Sequence, residues 1–354
     1  MTRTETTGQP SGTSTAGAAG RTPEEARRTA VTPRLLKRSE AARRTSAARV
    51  KLWVGAICAL VVIIPIVLAQ ALPLPDANGQ DLGNRLAPPF TAGHLFGTDQ
   101  LGRDLLSRVL HGGQVSLAIG VLAVIVSGAI GVVLGSIAGF YGRWADTLIS
   151  RLLEAQMSLP LLMMLLLVVA LFGPSIPVIT FVIAIAQWPE VARLTRSLVL
   201  VEREKPYVSS ARTLGLNRFT ILLRHVVPNV IKQATLVVLL LLAQAVLLES
   251  ALSFLGAGPQ RPFATWGRII SDGQDYVTTA WWMVTIPGLF IVLLVVGVNL
   301  LGDALRDRPR RSTASRLRRF VGLRPSTPAS TPASASTPAP APAPAPAPQK
   351  GTIA

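Results

Sequence analysis

The sequence predicts an all-α polytopic membrane protein with six transmembrane helices and a disordered tail at each end. Three observations carry that reading. Of 354 residues 49% are hydrophobic and only 15% charged, and the mean hydropathy is +0.45, an apolar excess that suits lipid better than water. Six apolar runs approach the roughly 20 residues needed to cross a bilayer. The 35 Lys and Arg residues fall very unequally on the two sets of loops that those runs define.

Residues 1–50 are rich in Thr, Ser, Ala, Gly and Arg, a composition that cannot bury enough apolar surface to offset chain entropy. They read as a disordered basic tail, and the basic cluster from Arg34 to Lys51 is either a helix lying on anionic membrane lipid or simply solvated. No signal-peptide pattern opens the chain. A first span, Leu52–Leu72 within residues 51–72, contains Pro65, which predicts a kink and not a break. Residues 73–112 form an extracytoplasmic segment punctuated by Pro73, Pro75, Pro88 and Pro89. Inside it GTDQLGRDLLSRVLHGG, Gly97 to Gly113, predicts an amphipathic helix with Leu101, Leu105, Leu106, Val109 and Leu110 near one face.

Residues 113–303 hold the other five spans. The second, Val115–Phe140, repeats Ser127, Gly131, Gly135 and Gly139 every four residues, a small-residue stripe that lets another helix of the same bundle approach closely. A short basic loop, Tyr141 to Arg151, precedes a third span near Leu152–Phe172 containing Pro160. The fourth runs from Ile176 to about Trp188 or on towards Leu200, the fifth from Val230 to Leu255 and the sixth from Trp281 to Leu301. Residues 304–354 are basic to Arg324 and then repeat Pro and Ala, a disordered or polyproline II spacer.

With six spans both termini lie on one side. That side collects 29 of the 35 Lys and Arg residues; the other holds Arg85, Arg103, Arg108, Arg261 and Arg268, and Lys232 sits at the membrane edge. The positive-inside rule places the termini in the cytoplasm and accounts for the net charge of +17 without nucleic acid.

One polar, basic stretch interrupts the apolar pattern on the cytoplasmic side: YVSSARTLGLNRFTILLRHVVPNV, Tyr207 to Val230. Pro206 suits the first position of a helix, where its missing N–H costs nothing. Tyr207, Val208, Ala211 and Leu214 share one face at helical spacing, while Ser209, Arg212 and Thr213 point elsewhere. Gly215 can adopt the left-handed conformation that ends such a helix, and Asn217 is a candidate N-cap for a second one running from Arg218 until Pro228. A helix over 206–215 is too short to cross a bilayer and must offer a face to something else.

No catalytic constellation accompanies these elements. His94, His111 and His225 lie in three separate places and cannot form one metal site or triad. The single cysteine, Cys58, sits in an apolar run, so neither a disulfide framework nor a thiol metal site is expected. No Lys follows a Gly, which excludes a phosphate-binding nucleotide loop. The residues therefore point to no enzyme chemistry, and no cofactor or metal of the chain's own is expected. Polar groups inside spans are the candidates for a translocation pathway: Glu249 and Gln244 in the fifth, Asn299 in the sixth. Glu249 could equally be held by a neighbouring helix end or by a partner subunit. Gln187 and Glu190, flanking Trp188-Pro189, read as structural.

The polar stretch resembles the coupling motif of ABC-importer permeases, in which Glu-Ala-Ala is followed by Gly and then by a hydrophobic residue and Pro; the matching positions are Ser209-Ser210-Ala211, Gly215, Val227 and Pro228. GTDQLGRDLLSRVLHGG, LLESALSFLGAG (Leu247 to Gly258) and PGLFIVLLVVGVNLLGDALRD (Pro287 to Asp307) extend the likeness over about residues 50–308. Together they resemble the C-type permease subunit of the dipeptide/oligopeptide/nickel importers. The resemblance implies a type I ABC-importer permease fold in a bacterial cell membrane, paired with a homologous B-type permease. It further implies two cytoplasmic ATPase subunits that bind ATP and Mg, and an extracytoplasmic binding protein that delivers a short peptide; a nickel chelate or another small solute is the alternative. The helix of Tyr207, Val208, Ser209, Ser210, Ala211, Arg212, Leu214 and Gly215 would dock on an ATPase. Ser209 stands where the motif has Glu, so a grip by Tyr207, Val208 and Ala211, with Arg212 at the rim, is expected in place of an ion pair.

Overall fold

In the computed structural model, residues 49–91 and 93–306 are described; the two tails therefore lie outside the described residues. Among those residues the fold is a bundle of α-helices. Five helices are long and apolar enough to cross a membrane, or six if one bent pair is counted as a span.

The first span is α1, Arg49–Leu68. It leans on the last helix, α10 (Trp282–Arg306), through two glycines: a Cβ on Gly297 would lie 2.7 Å from Ala59 N, and one on Gly55 2.8 Å from Leu300 Cβ. The second span is α2, Leu105–Tyr141, 37 residues long. At 1.5 Å per residue it extends roughly 55 Å, well beyond a hydrocarbon core of about 30 Å. The amphipathic stretch expected as a separate helix is thus divided. Residues 97–104 form a turn, and the remainder is the first part of α2. Asp104 caps it, accepting from Ser107 N at 2.8 Å. Gly112 and Gly113 look like a break but sit inside the helix; Trp266 and Ile66 crowd the second, where a Cβ would come within 2.9 Å of both side chains, and Ala264 and Ile269 lie 3.4 Å from a Cβ on the first.

The small-residue stripe of α2 receives α5, Ile176–Glu202. A Cβ on Gly131 would lie 2.5 Å from Val191 Cβ, on Gly135 2.4 Å from Ala192 O, and on Gly139 2.8 Å from Arg196 O. The stripe is filled within this chain, and α5 continues through Pro189 as one helix to Glu202.

Between α2 and α5 the expected loop and third span are replaced by a broken element. α3, Arg143–Met157, is amphipathic, burying Ala145, Ile149 and Leu153; α4, Leu161–Phe172, turns away from it by 87°. Pro160 causes the break, since it lacks a donor and disfavours helix at Leu159. Twelve residues span about 18 Å, so α4 alone cannot cross. α3 is fastened to α5 at two points. Arg196 Nη2 donates to Asp146 Oδ2 at 2.7 Å as part of a two-pronged ion pair. Gln156 Nε2 donates to Ile185 O, the carbonyl left without its helical donor by Pro189, and Gln156 Oε1 accepts from Trp188 Nε1 at 2.8 Å.

Beyond α5 come α6 (Pro206–Thr213), α7 (Arg218–Ile221), a π-helical turn (Leu222–Val226) and α8 (Val227–Phe254). Pro228 was expected to interrupt this run and does not. The wider π turn, in which Val227 N bonds to Leu222 O, absorbs the misfit ahead of the proline, so Arg218–Phe254 forms one continuous rod. The loop after α8 contains α9, Trp266–Gly273, capped by Thr265 and packed tightly on α8: a Cβ on Gly267 would meet Ser250 O at 2.1 Å.

Candidate functional site

The polar stretch from Tyr207 to Val230 is built by two caps. Lys205 lies extended ahead of Pro206, and α6 ends in a left-handed Gly215 at φ +80°. Leu216 N bonds back to Ala211 O at 3.2 Å and Gly215 N to Arg212 O at 3.0 Å, the paired bonds of a glycine-terminated helix. Asn217 Oδ1 then accepts from Phe219 N at 3.2 Å and starts α7. These bonds fix the angle between α6 and the rod that begins at Arg218.

Which face the helix offers differs from the expectation. Val208 is fully buried and Ala211 nearly so; both pack against Phe140, Val199, Ile221, Leu222, Val226 and Val230. They cannot grip another protein, because they already hold α6 to the ends of α2, α5 and α8. The Tyr207 hydroxyl also looks inward, donating to Glu202 Oε1 at 2.6 Å and accepting from Asn229 Nδ2 at 3.3 Å. Glu202 is buried, and its other oxygen accepts from Lys205 Nζ at 2.6 Å. Partial burial, and then the bond to Glu202, raise the Tyr207 phenol above its ordinary pKa.

The uncovered face carries Ser209, Ser210, Arg212, Thr213 and Leu214. Leu214 is 79% exposed and Phe219, just across the Gly215 turn, 57% exposed. Arg212 lies 5.9 Å from the centre of the Phe140 ring, which steadies its charge over the inner core. Phe219, Glu202 and Asn229 were missed in the sequence reading. The signals were there: an aromatic two residues after an N-cap, and an acid three residues before Lys205.

The three pathway candidates do not come together. Gln244 on α8 and Asn299 on α10 line one cleft of about 360 Å3 with Leu240, Leu247, Val295 and Glu190. Glu249 is fully buried away from that cleft, and its Oε1 accepts from Ser253 Oγ at 2.6 Å. Its other oxygen, Oε2, is buried without a hydrogen-bond partner. Glu190, read as structural, is exposed at the cleft. Gln187 behaves as read, with its Nε2 donating to Leu241 O at 3.1 Å across to α8. Among the described residues no group of three His, Cys, Asp or Glu is placed to hold a metal ion.

The sequence profile of the family described as "Binding-protein-dependent transport system inner membrane component" matches residues 131–311. This chain belongs to that family. Two relatives illustrate the distance. A dipeptide transport system permease protein of Alkalihalophilus pseudofirmus is 38% identical over 258 residues, 72% of this chain and 83% of that one. A di/tripeptide transport system permease protein of Pseudomonas aeruginosa is 37% identical over 258 residues, 72% of this chain and 85% of that one. Among solved structures, a chain of the MetNI methionine ABC transporter in an inward-facing form has a TM-score of 0.46 at 17% identity, over 56% of this chain and 94% of that one. As an inner-membrane component the chain is a multi-pass membrane protein and a transport subunit that works within a complex. The family match begins inside α2 and takes in the small-residue stripe from Gly131, the coupling stretch and the cleft.

Proposed function

We propose that this chain is the C-type permease subunit of an ABC importer that brings di- and oligopeptides into the bacterial cytoplasm, and that α6 transmits the motion of an ATPase to the spans. One observation carries the reading: a short capped helix fused by its inner face to the ends of three spanning helices, with its outer face uncovered. Force applied there moves α2, α5 and α8 as a body. The names of the relatives support peptide as solute. The charge asymmetry supports termini, and hence α6, on the cytoplasmic side.

In this reading Leu214 and Phe219 are the apolar contacts for the ATPase, with Arg212 and Ser209 beside them. A carboxylate at position 209 is not needed for a grip that rests on apolar area. The cleft holding Gln244, Asn299 and Glu190 faces a homologous B-type permease, and together they enclose the path. Hydrolysis of ATP with Mg takes place on the two ATPase subunits.

The test is reconstitution of the whole complex in proteoliposomes with the binding protein outside and labelled dialanine as solute. Uptake that requires ATP, both ATPases and the binding protein is the expected result. Equal uptake without the ATPases, or ATP-dependent uptake in which unlabelled dialanine does not compete, would overturn it.

A further inference from the structure

At the end of the bundle away from α6 a cavity of about 180 Å3 gathers four arginines, Arg103, Arg108, Arg261 and Arg268, and one carboxylate, Asp272. Arg103 and Arg108 are 5% and 3% exposed. Behind them Asp99, fully buried, accepts from Arg103 Nε at 2.7 Å and from Arg108 Nη1. Asp99 also accepts from the backbone of Leu101 and Arg103, so the turn at residues 97–104 fixes both guanidinium groups from one side. Asp272 accepts from Arg268 Nε at 3.2 Å and from Arg108 Nη2 at 3.3 Å.

Two carboxylates thus face four guanidinium groups. Arg103 Nη2 and Arg108 Nε have no hydrogen-bond partner; the carboxylate oxygen beside Arg103 Nη2, on Asp272, is 3.8 Å away. Burial, and then the charge of Arg108, push the Arg103 guanidinium below its ordinary pKa, the direction expected where positive charge is undercompensated. Buried charged donors without acceptors are expensive, and the planar fork of an arginine matches the two oxygens of a carboxylate.

We propose that this cavity is an anion site that takes a single carboxylate, with Arg103 and Arg108 at its floor and Arg261 and Arg268 at its mouth. Its size is below the range of ordinary ligand pockets, so it admits the carboxylate and the few carbons beside it. The body of the ligand lies in the adjoining hollow of about 490 Å3, which shares Asn78, Pro262, Phe263 and Ala264 with the first cavity and adds both apolar groups, Leu72, Leu74 and Val115, and polar ones, Asp76, His111 and Gln114. The carboxylate comes either from a free solute or from an acidic side chain of the binding protein. The site itself does not depend on which solute the complex carries.

The full complex in lipid nanodiscs is titrated calorimetrically with dialanine, with dialanine amide, and separately with the purified binding protein. Arg261→Gln and Arg268→Gln leave the buried Asp99 cluster intact and weaken at least one carboxylate probe threefold or more. Asp272→Asn, which removes a competing carboxylate, tightens that same probe. Weakening of dialanine identifies a solute carboxylate; weakening of the binding protein alone identifies an acidic side chain. The proposal is overturned if both probes bind both arginine variants within threefold of wild type, if the amide weakens as dialanine does, or if Asp272→Asn does not tighten the responding probe.

Discussion

Replacing Gly215 with Val isolates the backbone turn of the coupling stretch. Gly215 has φ +80°, and a Cβ built there meets nothing within 4 Å. The added Cβ therefore meets no clash, and the effect to be expected is the strain of a left-handed L-residue, about 1–2 kcal/mol. Relief of that strain sacrifices the bonds from Gly215 N to Arg212 O and from Leu216 N to Ala211 O, and with them the fixed angle between α6 and α7. A shift of that size is roughly a 5- to 30-fold change in the population of the correctly turned state. Uptake per assembled complex should fall by a comparable factor, measured in proteoliposomes after quantifying all subunits. Gly215→Asn is the control, since Asn tolerates the left-handed region. Wild-type uptake by the Val variant, or equal loss in the Val and Asn variants, would refute the argument.

Other outcomes follow from the same geometry. Leu214→Ser combined with Phe219→Ser should lower ATPase co-purification tenfold or more, because two exposed apolar contacts are lost from the surface assigned to docking; Val208→Ser should instead lower the yield of folded chain. Gly135→Ala places a Cβ 2.4 Å from Ala192 O, an overpacking of about 1–3 kcal/mol that should lower the temperature at which the detergent-solubilised complex aggregates. Gly128→Ala, with Val238 at 3.5 Å, should leave that temperature unchanged. The Tyr207 phenol should ionise above its ordinary range, read as the difference in phenolate absorbance between wild type and Tyr207→Phe along a pH titration. The neutral phenol is the form the fold favours, so its contribution is intact below the unfolded value and drains away as pH climbs through the raised one.

Much of this architecture was legible from length and charge. Apolar runs locate spans because the bilayer imposes a minimum length, and the Gly131–Gly135–Gly139 stripe announced a close helix contact that α5 makes. Two caps at Gly215 and Asn217 were readable because φ and capping chemistry are local. What escaped the reading is non-local. Gly112-Gly113 resembles a break until Trp266, more than 150 residues away, is seen filling the space beside it. Pro228 resembles a stop until a π turn absorbs it. The same holds for Val208 and Ala211: periodicity showed that they share a face with Tyr207 but not which protein that face meets. The burial of Glu249 and the exposure of Glu190 at the cleft were not readable either, because polarity within a span says nothing about its direction.

The joint at Gln156 and Pro189 has a consequence for how the sequence can change. Proline leaves the Ile185 carbonyl vacant, and an amide from another helix occupies it, so Gln156 makes Pro189 tolerable. Replacing Gln156 with an apolar residue strands a carbonyl; replacing Pro189 with Ala supplies that carbonyl with a second suitor and leaves the amide redundant. The first step also takes the acceptor from Trp188 Nε1, whereas the second is accommodated, because a carbonyl oxygen has two lone pairs. The order of change is therefore constrained: Pro189 can be lost while Gln156 stays, but Gln156 cannot be lost while Pro189 and Trp188 both stay without stranding a carbonyl and an indole N–H.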